Sequence, residues 1–354
     1  MALDMATNIS GSALTFTGSI ARQAKGRNPC LCVNDDGMIV ELHQPSRSSR
    51  LHYHVGKLMD NFTVRWSEET DLDDGAYPSV SLNCRNIVVV VYERPLVRKI
   101  RCRVGKLDPV AETIKWFEMV DLAWGRYPKV VLNNKGQAVI VYEAAVAYGT
   151  FYRTGNVSTD GMSIVWCEEE RKLFTMGANE LSLTMNQSGH VVVAGRVSGH
   201  KIQFCVGELQ EEVQSQNQSL SGPSPSSSTP EPTISGYTIS WGTFKAFDMS
   251  SSHPSVSINN EQHIVVALQN KSGGGLSYRL GMFDRDKTIT WEHASRNYDR
   301  GINPTIALCN DGRFIEEHEG NEYALQGHML FYRVGTLHTK AAVHVEPDEE
   351  SHQE

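Results

Sequence analysis

The chain has 354 residues, with 33 lysines and arginines against 41 aspartates and glutamates and a formal charge of −8. That length holds two average domains or one large all-β domain. The acidic balance, without any basic block, excludes nucleic acid as the expected partner, and no apolar stretch has the length to insert across a membrane.

Met1-Ala2-Leu3-Asp4-Met5 carries no basic segment followed by an apolar run, so no secretion signal is expected and the cytoplasm is the expected location. The seven cysteines, from Cys30 to Cys309, are odd in number and match no zinc spacing, which points to reduced thiols. Residues 1–12 read as a flexible N-terminus. The first β-type run is Leu14-Thr15-Phe16-Thr17, and from there one pattern repeats along the chain.

The fullest copy runs from Thr113 to Gly155. It begins Thr-Ile-Lys-Trp116, passes through Gly125-Arg126-Tyr127-Pro128 into Lys-Val-Val-Leu-Asn133, turns at Gly136, continues as Ala138 to Glu143, and ends at Tyr152-Arg153-Thr154-Gly155. Three anchors keep the register. Trp66, Trp116, Trp166, Trp241 and Trp291 are spaced by 50, 50, 75 and 50, and 50 residues before Trp66 stands Phe16. Pro29, Pro78, Pro128, Leu181, Pro254 and Pro304 begin the next run, and Gly56, Gly105, Gly155, Gly207, Gly281 and Gly335 end the last.

A period near 50 with four short strands per unit predicts an all-β fold, a six-bladed β-propeller of four-stranded blades, near 28–67, 77–117, 127–167, 180–242, 253–292 and 303–335. The run at 13–18 is expected to complete the sixth blade and close the ring, leaving no open edge. Ala342-Val343-His344-Val345 competes for that slot, and the N-terminal run is preferred because Phe16 keeps register. The long interval before Trp241 contains an insertion, 210–232, rich in Ser, Gln and Pro and expected to be disordered; 338–354 reads as an acidic tail. In the first strand of each blade one face is apolar (Val80 and Leu82, Val130 and Leu132) and the other mostly small (Ser79 and Ser81, Ser255 and Ser257), as close approach around an axis requires. Cys30 and Cys32 occupy small slots and read as packing residues.

The crossing to the next blade lies on the same face as the turn between the second and third strands, so two repeated polar sets are expected to meet there. The first precedes the prolines: Arg27-Asn28, Ala76-Tyr77, Arg126-Tyr127, Asn179-Glu180, Ser252-His253 and Ile302-Asn303. The second ends the second strands: His43-Gln44, Tyr92-Glu93, Tyr142-Glu143, Gly195-Arg196, Leu268-Gln269 and His318-Glu319. The candidate ligand face is therefore Arg27, His43, Tyr77, Tyr92, Glu93, Arg126, Tyr127, Tyr142, Glu143, Arg196, His253, His318 and Glu319.

The blade order resembles that of sialidases and related Asp-box propellers. Arg27 and Arg126 stand two residues before their prolines, as in the sialidase Arg-Ile-Pro motif, and Ser158 to Trp166 resembles an Asp box whose glycine, Gly161, falls one place early. The resemblance implies an arginine cluster for a carboxylate, a Tyr/Glu nucleophile pair and an acid/base Asp, with Tyr92-Glu93 and Tyr142-Glu143 as the matching pairs. Those pairs recur between blades, whereas a catalytic centre needs one copy, so no catalytic residue is assigned. The expected function is a non-enzymatic binding module, lectin-like toward glycans or a scaffold for a protein ligand, with a sialidase-like glycoside hydrolase as the alternative. No cofactor or metal is expected. Asp71 to Gly75 reads as a solvated acidic turn, and His52 and His54 share a strand face without a pattern that marks a metal centre.

Overall fold

The computed structural model describes residues 12–45, 48–174, 178–197, 201–213, 234–247, 251–270, 274–284, 286–292, 295–320 and 328–339. Every regular element among them is a β-strand, and none is a helix long and apolar enough to cross a membrane. The strands form antiparallel meanders set as the blades of a propeller.

Four sheets have the size of one blade. The first comprises Arg27–Val33, Met38–Gln44, Arg50–Leu58 and Val64–Trp66, with Thr70–Asp74 also paired to its third strand. The fourth repeat forms Ala178–Met185, His190–Val197, Lys201–Val213 and Ile234–Trp241, joined by Lys245–Phe247. The fifth forms Ser251–Ile258, His263–Asn270, Gly275–Phe283 and Ile289–Trp291, joined by Arg296–Arg300. In the last sheet Ile302–Leu308, Arg313–Glu319 and Met329–His338 are completed by Ala13–Lys25, which pairs with Met329–His338.

The second and third repeats depart from expectation. They are not two separate sheets but one of eight strands, Ala76–Leu82, Ile87–Arg94, Lys99–Asp108, Thr113–Leu132, Gln137–Ala144, Thr150–Val157 and Ile164–Trp166 in order, with Arg171–Phe174 added. The 20-residue strand Thr113–Leu132 joins them, pairing with Lys99–Asp108 as far as Trp124 and with Gln137–Ala144 from Gly125 onward. Its crossing stays extended and absorbs the bend in register shifts between Trp116 and Met119 and between Asp121 and Ala123 instead of leaving the ladder.

Two boundaries also move. The N-terminal strand runs to Lys25, beyond the expected 13–18, and the insertion loses its first residues to strand, since Gln210 to Val213 pair with Thr238 to Ile234. Residues 214–233, which hold the rest of the expected insertion, residues 1–11, the tail from 340 and the competing run 342–345 lie outside the described residues.

The anchors of the repeat are contact partners. Gly56, Gly105, Gly155, Gly207 and Gly281 stand directly opposite Trp66, Trp116, Trp166, Trp241 and Trp291, and Gly335 stands opposite Phe16. A Cβ on Gly105 would come within 2.7 Å of the Trp116 ring, so the glycine is the space the indole occupies. Between neighbouring repeats lie apolar layers, such as Val40, Leu42, Leu51 and Tyr53 against Val80, Val88, Val90 and Tyr92. Each such side chain contributes about 1.5–3 kcal/mol on burial. The small residues of the first strands do more than permit approach. Ser79 and Ser81 accept the N–H groups of Val130 and Leu132 at 3.1 and 2.9 Å, and Ser255 and Ser257 accept those of Ile306 and Leu308 at 3.0 and 2.9 Å. Cys30 and Cys32 stand in the same slots, and all seven cysteines are free thiols.

Candidate functional site

Each first strand is entered through the same backbone distortion. Asn28, Tyr77, Tyr127, Glu180, His253 and Asn303 all have left-handed φ, between 48° and 55°, immediately before the proline or its stand-in Leu181. A register shift accompanies each one, between Arg27 and Cys30 in the first repeat and between Ile302 and Thr305 in the last. A non-glycine residue held there costs about 1–3 kcal/mol, and strain repeated at every entry calls for compensation. Four of the six N–H groups are captured by a side chain: Asn28 donates to Glu319 Oε1 at 2.6 Å, Tyr127 to Glu93 Oε2 at 3.4 Å, His253 to Glu180 Oε2 at 2.8 Å, and Asn303 to Gln269 Oε1 at 3.2 Å.

The distortion turns these six side chains toward one another. Together with Lys129 they line a cavity of about 300 Å³, floored by Pro29, Pro78, Leu181, Pro254 and Pro304. The Tyr77 and Tyr127 rings meet edge to face with centroids 4.7 Å apart, and Tyr77 remains 39 % exposed. Lys129 is the irregular member. It follows Pro128 in the slot that holds Cys30, Ser79, Ser182, Ser255 and Thr305 elsewhere, and it lines both this cavity and a second one of about 160 Å³ between the first strands. No carboxylate pairs with it among the described residues. Burial lowers the pKa of its ammonium, with the Cys30 thiol acting in the opposite sense. Burial also lowers the His253 imidazole, against the pull of Glu180. Glu180 itself is held by Arg196, whose Nη1 donates to Oε1 at 2.7 Å.

Of the residues expected on the ligand face, Tyr77, Tyr127 and His253 line the cavity. Glu93, Glu319 and Arg196 lie behind it and hold the ring. Arg126 pairs with Glu143 at 3.0 Å beside Tyr127, and Arg27 is exposed outside the lining. Tyr92 and Tyr142 are fully enclosed, which corrects their place on an open face: Gly75 and Gly125 of the crossings leave the space over which these rings fold, and an added Cβ would stand 2.5 and 2.7 Å from them. The Tyr92 hydroxyl donates to Asp73 Oδ2 at 2.5 Å. Burial, together with Asp73 for Tyr92 and Glu170 for Tyr142, raises both phenol pKa values. Asn28, Glu180 and Asn303, members of the repeated polar pairs but not of the candidate set, also belong to the lining; the signal was their place directly before the proline. Lys129 was the departure from the small-residue slot.

His43 and His318 are fully buried and take no part in the cavity. His43 belongs to a separate cluster in the first sheet. Register places His43 opposite His52 and Glu41 opposite His54, and the crossing brings Glu69, just before the strand Thr70–Asp74, and Asp71 beside them. Glu69 contacts three imidazoles, His52 Nδ1 at 2.7 Å, His43 Nε2 at 3.2 Å and His54 Nε2 at 3.7 Å. Burial lowers the pKa of His43 and His54; it opposes ionisation of Glu69, but the hydrogen bond from His52 and the neighbouring imidazoles hold that carboxyl below its ordinary value. The spacing His52-x-His54 did not reveal this group, since its remaining members come from two other strands.

No family model and no curated protein matches the sequence. Solved structures do match the fold. A mutant of NanB sialidase from Streptococcus pneumoniae superposes with a TM-score of 0.61 at 10 % identity, over 91 % of this chain and 71 % of that one. A protein of unknown function from Dyadobacter fermentans gives 0.58 at 11 % identity, over 93 % and 100 %. A fungal alcohol oxidase in complex with copper gives 0.53 at 8 %, over 93 % and 77 %. The blade arrangement thus resembles that of a sialidase, and at these identities the likeness is one of fold alone.

Proposed function

We propose that this chain is a non-enzymatic binding module, a closed six-bladed propeller that holds a carbohydrate ligand in the axial cavity in the manner of a lectin. The observation that carries the reading is the cavity wall itself: six strained positions, one per repeat, direct two tyrosines, two asparagines, a histidine and a glutamate at one small space, with Lys129 as its cation. Aromatic faces stack on sugar rings, amides and carboxylates pair with hydroxyls, and an ammonium with no paired carboxylate among the described residues favours a sugar that carries a carboxylate.

Three features support six closed units. The eight-stranded sheet divides at Gly125 into a set of four strands and a set of five, each with its own proline, glycine and tryptophan anchors. Phe16 takes the tryptophan's place opposite Gly335. At the end opposite the cavity, hydrogen bonds pass from Cys84 to Asn134, Gln187, Asn260 and Asn310 at 2.6–2.9 Å, and Asn310 and Cys84 both donate to Asp35. Binding is favoured over hydrolysis because no arginine lines the cavity among the described residues, and the Tyr/Glu pairs are either enclosed or engaged in holding the ring.

The test is a glycan array that includes carboxylate-bearing sugars, followed by calorimetry on the best hit. Lys129→Ser, which restores the residue type of the neighbouring repeats, and Tyr77→Ala are each expected to weaken binding at least tenfold, or about 1.4 kcal/mol, with an unchanged circular dichroism spectrum. An array silent for every sugar, or a hit indifferent to both substitutions, defeats the reading; selection of a peptide instead would transfer the cavity to a protein ligand.

A further inference from the structure

The histidine cluster of the first sheet can be compared with a near copy in the last. Glu41 and His43 correspond to Glu316 and His318 at the same register positions. In both copies the histidine's Nδ1 lies 3.1 Å from a carboxylate oxygen of that glutamate, and its Nε2 faces a carboxylate of the crossing, Glu69 in one and Asp299 in the other. The copies differ on the third strand. In the last sheet Arg333 stands opposite Glu316, and its guanidinium reaches Asp299 at 2.7 Å; Phe331 stands opposite His318. In the first sheet these places belong to His54 and His52.

The slot of Arg333 and His54 is cationic in most of the molecule. Two residues before the closing glycine stand Arg103, Arg153, Arg279 and Arg333, and the first three donate to backbone carbonyls of the crossing, Leu72, Leu122 with Cys167, and Glu292. His54 keeps half of that role. Its Nδ1 lies 3.1 Å from the Ser67 carbonyl, which can only accept, so Nδ1 carries the proton and Nε2 presents a lone pair. That Nε2 points at Glu69 Oε2, as does Nε2 of His43. Both nitrogens are buried with the Glu69 carboxylate as their neighbour, and the His43 side chain is wholly enclosed. Acceptor atoms thus converge where the other repeats place a positive charge.

We propose that the first sheet holds a divalent transition-metal ion of the zinc type, bound by His43 Nε2, His52 and Glu69, whose donor atoms lie within 4.8 Å of one another, with His54 Nε2 as the further ligand. Imidazole nitrogens with a carboxylate form a donor set that suits zinc. Glu41 on Nδ1 of His43 and the Ser67 carbonyl on Nδ1 of His54 are the outer partners that fix the rings of metal-ligating histidines. Glu69 is 41 % exposed, which leaves a route for the ion to enter. The ion would supply in the first sheet the charge that Arg333 supplies in the last. None of these residues lines the cavity.

The experiment uses the full chain stripped with chelator and titrated with Zn²⁺ by calorimetry, with Co²⁺ absorption as a second readout. The expected result is one high-affinity ion per chain, visible Co²⁺ bands displaced by Zn²⁺, and a melting temperature that rises with Zn²⁺ and falls back with chelator. The double substitution His52→Phe and His54→Arg copies the last sheet's solution; it is expected to melt at or above the metal-free parent and to bind Zn²⁺ at least a hundredfold more weakly. Glu69→Gln, on a half-exposed side chain that leaves packing intact, is expected to weaken binding at least tenfold. Failure of the parent chain to bind Zn²⁺ would overturn the proposal. So would Zn²⁺ binding and Co²⁺ bands that survive in both variants, since the ion would then sit on other histidines.

Discussion

Tyr142 shows how one residue changes meaning between sequence and structure. Beside Glu143 it has the make-up of a sialidase nucleophile pair, and only the repetition of Tyr-Glu at 92–93 argues against that role. In the structure the ring is 0 % exposed and lies over Gly125, in the apolar layer that also holds Ile100 and Ile140. Tyr142→Ala is therefore expected to destabilise the fold by about 3–5 kcal/mol, read as a lowered midpoint in urea. At urea concentrations where the variant remains folded, ligand affinity at the cavity should be unchanged; a stable variant with lost binding would return the ring to the ligand face. Side-chain alternation could not reveal this burial, because a strand that is covered on both faces has no solvent side to read. The ring residues are the opposite case. Their position before the proline is plain in the sequence, but left-handed φ at Tyr77 or Glu180 is a tertiary imposition, and with it goes the knowledge that the second residue of each pair, and not the first, lines the cavity.

At the scale of elements the anchors were legible because each is one half of a contact. A glycine and a tryptophan recur at fixed spacing since they stand opposite one another, and the pair survives any change in the turn between them, including the long interval before Trp241. The same logic identified Phe16 as an outer-strand residue 50 positions ahead of Trp66. Its ring stacks on Tyr298 at 5.1 Å and meets Phe314 edge-on at 5.2 Å, with the Arg333 guanidinium 5.6 Å from its centre. The merging of the second and third repeats was not legible, because whether a crossing keeps its ladder depends on a bulge geometry that composition does not encode. Phe16→Ala is expected to lower stability by about 2–4 kcal/mol, comparable with removal of an outer tryptophan such as Trp291. Deleting residues 1–25 should do more, because it bares the edge of Met329–His338. Size-exclusion chromatography should then show self-association; a monomeric, fully stable truncation would mean that another segment covers that edge.

At the scale of the whole molecule, an acidic chain places Lys129 in the lining of two cavities, without a paired carboxylate among the described residues. The groups that face it include Cys30 and His253, and the Glu180 carboxylate of the ring is engaged by Arg196. Burial lowers the Lys129 pKa from its ordinary value near ~10.4, and two consequences with opposite signs follow. In the window between the folded and the unfolded pKa, the unfolded chain holds a proton that the folded chain has released, so stability of the ligand-free protein rises with pH there. Affinity for a carboxylate-bearing ligand runs the other way, present while the ammonium is charged and lost as pH rises through the folded value. Lys129→Ser should remove both dependences together: its urea midpoint should exceed the parent's at neutral pH and lose this component of the pH slope, while its residual affinity should become insensitive to alkali. Denaturation curves and ligand titrations between pH 7 and about 10.5 measure the two effects on the same samples. A parent whose affinity and stability rise together across that range would show that the Lys129 charge is not the one the ligand meets.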